Sequence, residues 1–217
     1  FHELMQRKGV TPATAQTIMR TNTTAIAGVM VHRGEADSMV CGVSGQYRWH
    51  LGYVTDILGG ADDGSGGKLH PVGALSPVLL EEGVIFIADS QVHLDPTPEQ
   101  VADTVVASAR HIRRFGMEPK IALLSHSVFG SLDTDSGRKM RRAIAILDGM
   151  DLDFQYEGEM HADHALNPSL RERVYPNSRL TGEANCLIFA NVDAASGSRN
   201  ILKQLTNGLE IGPILMG

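Results

Sequence analysis

Ile121-Ala122-Leu123-Leu124-Ser125-His126-Ser127-Val128-Phe129-Gly130-Ser131 is the stretch on which the fold turns. Four apolar residues run directly into a loop of hydroxyls and glycine. A polar, basic helical pattern follows over residues 135–147. Strand, loop and helix in that order form the unit of an α/β protein, whose ligands bind at the carboxyl ends of its strands. The helix start offers unpaired N–H groups and a partial positive charge, which suits a phosphate or a carboxylate. A plain strand–turn–helix connection is the competing reading, because Ser and Gly also make ordinary turns.

The alternation continues on both sides of that stretch. Downstream, residues 152–155 read as a strand, 162–174 as a helix interrupted near Pro168, and 186–190 as a strand. Residues 199–205 are then helical and 211–215 extended. Upstream, residues 75–80 and 84–88 are strand-like, with Glu81-Glu82-Gly83 as the turn between them. Thr97-Pro98 is a capping hydroxyl followed by proline at the first helical position, and Gly116 stops the helix. Val101, Val105, Ala109 and Ile112 recur along it at helical spacing. Thr11-Pro12 repeats the start signal after a short helix closed by Gly9, and Asn22 caps a helix to His32 with Ala25, Ile26, Val29 and Met30 inward. Residues 38–41 read as a short buried strand and 51–58 as a helix. The run GGADDGSGG at 59–67 is a candidate domain boundary. It is not a P-loop, because Gly67-Lys68 is followed by Leu69 instead of the magnesium-binding Ser or Thr. Strands alternating with amphipathic helices predict an α/β protein whose mainly parallel sheet has helices on both faces.

In that topology the loops after successive strands meet at one edge. They gather Asp89 and Ser90, the loop from Ser125 to Ser131, the run Glu157-Gly158-Glu159-Met160-His161, and Asn191 with Asp193. Such a rim suits a polyoxygenated ligand. His161-Ala162-Asp163-His164 tempts a metal reading, but it lacks the i, i+4 spacing of a helical zinc site, and no metal is expected. A Ser–His–Asp hydrolase is disfavoured: no G-x-S-x-G elbow exists, and neighbours on an extended chain point opposite ways. Arg138, Lys139, Arg141 and Arg142 read as a solvated helix face. Arg48, between Tyr47 and Trp49, suits a nucleotide-like group or a surface loop about equally.

Composition limits the alternatives. A net charge of −6 without a cationic block disfavours nucleic acid or an anionic membrane as partner. Cys41 and Cys186 both lie in apolar runs and read as buried thiols of a reducing compartment. No run reaches membrane-span length and no signal peptide opens the chain, so the cytoplasm is the expected location. Both ends read as cuts within a longer polypeptide.

The stretches FHELMQRKGVTPATA, MVHRGEADSMVCG, RRFGMEPKIALLSHSVFGS, YEGEMHADHAL, PNSRLTGEANCLIFANVDAA and LEIGPILMG together resemble the phosphate acetyltransferase family across nearly the whole chain. They are more similar still to the transacetylase-like carboxy-terminal domain of bacterial NADP-dependent malic enzymes. The resemblance implies a three-layer α/β/α fold with one subdomain inserted in the other. Residues 1–64 would be part of the outer subdomain, 65–211 the inserted one, and 212–217 the start of the return. Departures from the transferases are specific. Their segment after G-P-I-x-x-G runs on through K-P-x-N-D-L-S-R-G with catalytic Ser and Arg, whereas this chain ends at Gly217. Phe129 stands where a Lys is common, and Met5 and Gly52 stand where some members carry coenzyme A-binding arginines.

The resemblance therefore implies a domain without catalytic residues that binds acetyl-CoA, inhibits a covalently attached malate-decarboxylating domain and builds dimers. The candidate acetyl-CoA residues are Arg48, Ser125, His126, Ser127, Phe129, Gly130, Ser131, His161, Asn191 and Asp193. No cofactor is expected in this domain; NADP and Mg or Mn would belong to the attached catalytic domain, which would make pyruvate, carbon dioxide and NADPH. An active phosphate acetyltransferase is the alternative, and a pure assembly module a third reading.

Overall fold

As a computed structural model, the protein is described over residues 1–59 and 70–217. It divides into two compact units, Phe1–Pro71 and Val72–Gly217. The boundary expected at 64/65, and most of the glycine-rich run, lie outside the described residues.

The first unit is helical. α1 (His2–Met5) passes into a single 3-10 turn, Gln6–Lys8, and stops at Gly9 in the left-handed conformation. α2 (Pro12–Thr21) starts where the sequence predicts, with the Thr11 hydroxyl accepting the Thr14 N–H. α3 (Thr23–His32) is capped by the Asn22 side chain. α4 (Tyr47–Leu58) begins four residues before the expected helix. Gly28 lets α3 approach α4, since a methyl group there would sit 3.2 Å from Ile57 Cδ1. Two expectations fail here. Residues 38–41 form no strand, and Val40 and Cys41 are exposed. A strand needs an edge to pair with, and this unit offers none among its described residues. Met30 also points outward, because the inward stripe of α3 is carried by the small residues Ala25 and Gly28.

The second unit carries the sheet. β1 (Gly73–Leu80) and β2 (Gly83–Ala88) form the expected antiparallel hairpin. α5 (Pro98–Arg114) opens with a capping box between Thr97 and Gln100. Then come β3 (Lys120–Leu124), α6 (Asp135–Asp148), β4 (Gln155–Met160), α7 (Ala162–Leu166) and α8 (Pro168–Val174). β5 (Cys186–Ile188), α9 (Val192–Thr206), β6 (Leu209–Glu210) and β7 (Ile214–Met216) complete the unit. Strand order is β4-β3-β5-β2-β1-β6, with β7 also on β1. β4, β3, β5 and β2 are mutually parallel, and β1 is antiparallel to all its neighbours.

Alternate residues of each strand face opposite layers, as the period of two requires. Phe86, Ile121, Leu123, Cys186 and Ile188 pack on Val105 and Ile112 of α5 and Met140 and Leu147 of α6. Ala122, Leu124 and Leu187 face Ala165 of α7, while Val78 and Ile87 face Ala195 of α9. Each large aliphatic side chain so buried contributes about 1.5–3 kcal/mol. The result is the expected three-layer α/β/α arrangement.

β4 corrects the sequence reading. The strand was expected at 152–155, but its ladder with β3 starts at Lys120↔Gln155 and runs on to Met160. Leu152 and Phe154 belong to the lead-in that packs on the core. Glu157 and Glu159 look like rim residues in the sequence; both are buried strand residues whose carboxylates are partnered within the fold. No helix among the described residues is long and apolar enough to cross a membrane.

Candidate functional site

The parallel strands bring four loops to the carboxyl edge of the sheet. The loop after β3 is organised around Glu159, which is 1% exposed. Its Oε1 accepts from Ser127 Oγ at 2.6 Å, from the Gly130 N–H at 2.8 Å and from Arg141 Nη1 at 3.0 Å. The Leu132 N–H donates in turn to Ser127 Oγ at 3.2 Å. The Phe129 N–H donates to the Glu159 carbonyl, and the Ser125 N–H to the Met160 carbonyl. Phe129 adopts φ 47°, and its ring stacks on Tyr175 with centroids 4.3 Å apart. A loop with the look of an anion cradle has thus spent its inward donors on the protein's own carboxylate. Such charge-assisted bonds in a low-dielectric interior are strong and hold geometry.

What remains outward on this loop is His126 and Ser131, both exposed. The Ser131 hydroxyl accepts the Val128 N–H. His126 stacks on His161, with ring centroids 5.9 Å apart, and its carbonyl is paired with His161 Nε2 at 2.9 Å. Beyond His161, the His164 Nδ1 lies 2.9 Å from Asp163 Oδ1. Burial pushes the Asp163 carboxyl upward, but the hydrogen bonds from His164 outweigh it and hold the group below the usual carboxylate value.

The loops after β2 and β5 form a second cluster on the same edge. Buried Asp89 accepts the N–H groups of Ala74, Gln91, Val92 and His93. The Val192 N–H donates to the Leu94 carbonyl, and Lys139 of α6 bonds both Asp95 and the Ala190 carbonyl. Asn191 accepts the Ala194 N–H as the cap of α9, and Asp193 is exposed in its first turn. Among the described residues no hydrogen bond or ring contact joins Asn191 or Asp193 to the loop at 125–131.

Arg48 lies in the first unit, exposed on α4. It lines an open cavity of about 720 Å³ with Phe1, Met5, Trp49, His50 and Tyr53. The sequence puts Glu159 among the rim residues and Arg141 on a solvated helix face, and gives no role to Tyr175. The signal for Glu159 was the alternation Glu157-Gly158-Glu159, which places two carboxylates on strand positions. Arg141 belongs to a helix face read as solvated, yet its guanidinium turns onto Glu159.

The sequence profile described as Phosphate acetyl/butaryl transferase matches residues 1–217. The chain belongs to this transferase family. Among the family's curated members, the chain is 44% identical over 220 residues to an NAD-dependent malic enzyme of Rhizobium meliloti. It is also 44% identical over 218 residues to an NADP-dependent malic enzyme of Salmonella typhimurium. In both comparisons all of this transferase-family chain is covered, and it spans 28% of the relative's length. A phosphate acetyltransferase of Treponema pallidum is 31% identical, with 66% of its length covered. Among solved structures, a phosphotransacetylase from Streptococcus pyogenes superposes with a TM-score of 0.85 at 27% identity, over 99% of this chain and 64% of that one. The α/β/α fold is therefore that of the phosphotransacetylases.

Proposed function

We propose that this chain is an acetyl-CoA-sensing, dimer-forming domain of an NADP-dependent malic enzyme, and that it transfers no acetyl group itself. The parent converts malate to pyruvate, carbon dioxide and NADPH in the cytoplasm, with its metal and nicotinamide held in another segment. Acetyl-CoA binds at the carboxyl edge of the sheet, against the outward groups of the loop at 125–131, and lowers the activity of the attached domain. Such regulation requires different acetyl-CoA affinities in two states of the whole protein.

The observation that carries this reading is the occupation of the loop's donors by Glu159. A transferase needs donors aimed at charge that develops on the reacting group, whereas Ser127 Oγ and the Gly130 N–H are already committed. The relatives at 44% identity, of which this chain is 28%, support the malic enzyme parent. The test is malate-dependent NADPH formation by the full-length protein with and without acetyl-CoA. Inhibition is expected, and its relief in His126→Ala. A rate indifferent to acetyl-CoA contradicts the reading.

The family's own name and the Treponema pallidum relative favour a second reading, an active phosphate acetyltransferase. Acetyl phosphate formed from acetyl-CoA and inorganic phosphate by the full-length protein would establish it.

A further inference from the structure

We propose that His161, Asp163 and His164, at the turn from β4 into α7, bind a divalent transition-metal ion of the zinc class. One donor atom from each of the three lies within 4.8 Å of the other two. The backbone between them is extended at His161 and helical from Ala162, so the i, i+3 pair of imidazoles converges without lying on one regular helix. A spacing rule for a continuous helix does not capture that geometry.

The hydrogen bond behind His161 is the independent indication. Its Nε2 is paired with the His126 carbonyl at 2.9 Å. A carbonyl only accepts, so it fixes the N–H on Nε2 and leaves a lone pair on Nδ1, which has no hydrogen bond among the described residues. A carbonyl behind an imidazole is one arrangement by which proteins orient a histidine ligand and raise its basicity. His164 Nδ1 and Asp163 Oδ1 face each other at 2.9 Å, and an ion would sit between them in place of the proton they share. Two imidazoles and a carboxylate match zinc or its neighbours in preference to magnesium or calcium.

The supporting frame is rigid on one side and adjustable on the other. His164 is 8% exposed. Fully buried Arg171 donates to the carbonyls of His164, Ala165, Leu180 and Gly182, which pins the backbone that carries it. Asp163 is exposed and His161 half-buried. Tetrahedral zinc wants its ligand atoms about 3.4 Å apart, and these two side chains have the torsional freedom to close the difference. Because His161 also holds the His126 carbonyl, an ion at this turn would tie the loop after β3 to α7.

Titration of the chelator-stripped chain with cobalt(II), in the absence of acetyl-CoA, tests this separately from the effector reading. The expected result is saturable 1:1 binding with the visible bands of a low-symmetry cobalt site, and displacement by zinc. His161→Ala, at a half-buried position, abolishes both; His164→Ala does the same where circular dichroism shows it folded. Asp163→Asn removes one of the three ligands and weakens binding by about 100-fold or more, beyond the range for a residue that only backs a ligating histidine. Each His→Ala variant keeps the other eight of the chain's nine histidines, and Asp163→Asn keeps all nine. Absence of saturable binding, or binding retained in His161→Ala, overturns the proposal.

Discussion

Ser127 donates its hydroxyl to Glu159 Oε1 at 2.6 Å, and both side chains are buried. This pair joins the loop after β3 to the body of β4. It makes Glu159 the internal anion around which the loop closes, with Gly130 and Arg141 as further donors. Replacing Glu159 with Ala strands the buried Ser127 hydroxyl, a loss of about 1–3 kcal/mol, whereas Gly130 is exposed and its N–H recovers water. Arg141 is about one-third exposed and recovers water, so it adds little. Urea unfolding should show a loss of about 2 kcal/mol with an unchanged m-value. A loss below about 1 kcal/mol would mean that the network is not what holds the loop.

Stability and ligand binding should separate along this loop. Ser127→Ala is expected to cost about 1–2 kcal/mol and to leave the outward face intact. His126→Ala and Ser131→Ala touch exposed groups; they should leave the melting temperature unchanged and weaken acetyl-CoA binding about three- to tenfold each. Thermal melts and ligand titrations of the three variants read the two effects independently. An unchanged affinity in both His126→Ala and Ser131→Ala would remove this loop from the effector site.

Gly158 has no room for a side chain. Its φ is 155°, and a Cβ there would lie 2.6 Å from the Leu123 carbonyl oxygen on the neighbouring strand. Gly158→Ala must push β3 and β4 apart beside the Glu159 network. A loss of about 3 kcal/mol or more is expected by denaturant unfolding, at the upper end for single substitutions. A variant as stable as the parent would show that the strands approach less closely.

The two cysteines should behave oppositely. Burial pushes the Cys186 thiol up to about 12, with a Ser108 hydrogen bond pulling the other way. Cys41 is exposed. A disulfide reagent at pH 8 should therefore label one thiol at once and the second only on unfolding. The same shift has a pH consequence: the unfolded thiol loses its proton first, so its contribution is complete below about pH 9 and declines as pH rises towards 12. Cys186→Ala should flatten that alkaline decline in urea-unfolding curves. Two thiols labelled at equal rates in the native protein would contradict the burial.

The legible and illegible parts of this molecule divide on physical grounds. Thr97-Pro98, Thr11-Pro12 and Asn22 announced helices through local capping, and Ile121 to Leu124 announced a strand by apolarity alone; all appear where expected. β4 was misplaced because Glu157 and Glu159 argue for solvent until their partners are known, and those partners, Arg179, Ser127, Gly130 and Arg141, are distant in sequence. Val40 and Cys41 looked like a strand because apolarity in a short run does not reveal whether an edge is waiting for it. The carboxyl edge of the sheet was legible, since topology sets it. Ser127, Phe129 and Asn191 were named for that edge, yet one is bonded inward, one stacks on Tyr175 and one caps α9.

Calorimetric titration of acetyl-CoA into the chain tests the central claim most directly. The account predicts saturable binding with a Kd below about 1 mM, a free energy beyond about −4 kcal/mol, and no acetyl phosphate when inorganic phosphate is added. No heat of binding at millimolar acetyl-CoA, or turnover to acetyl phosphate, would contradict it.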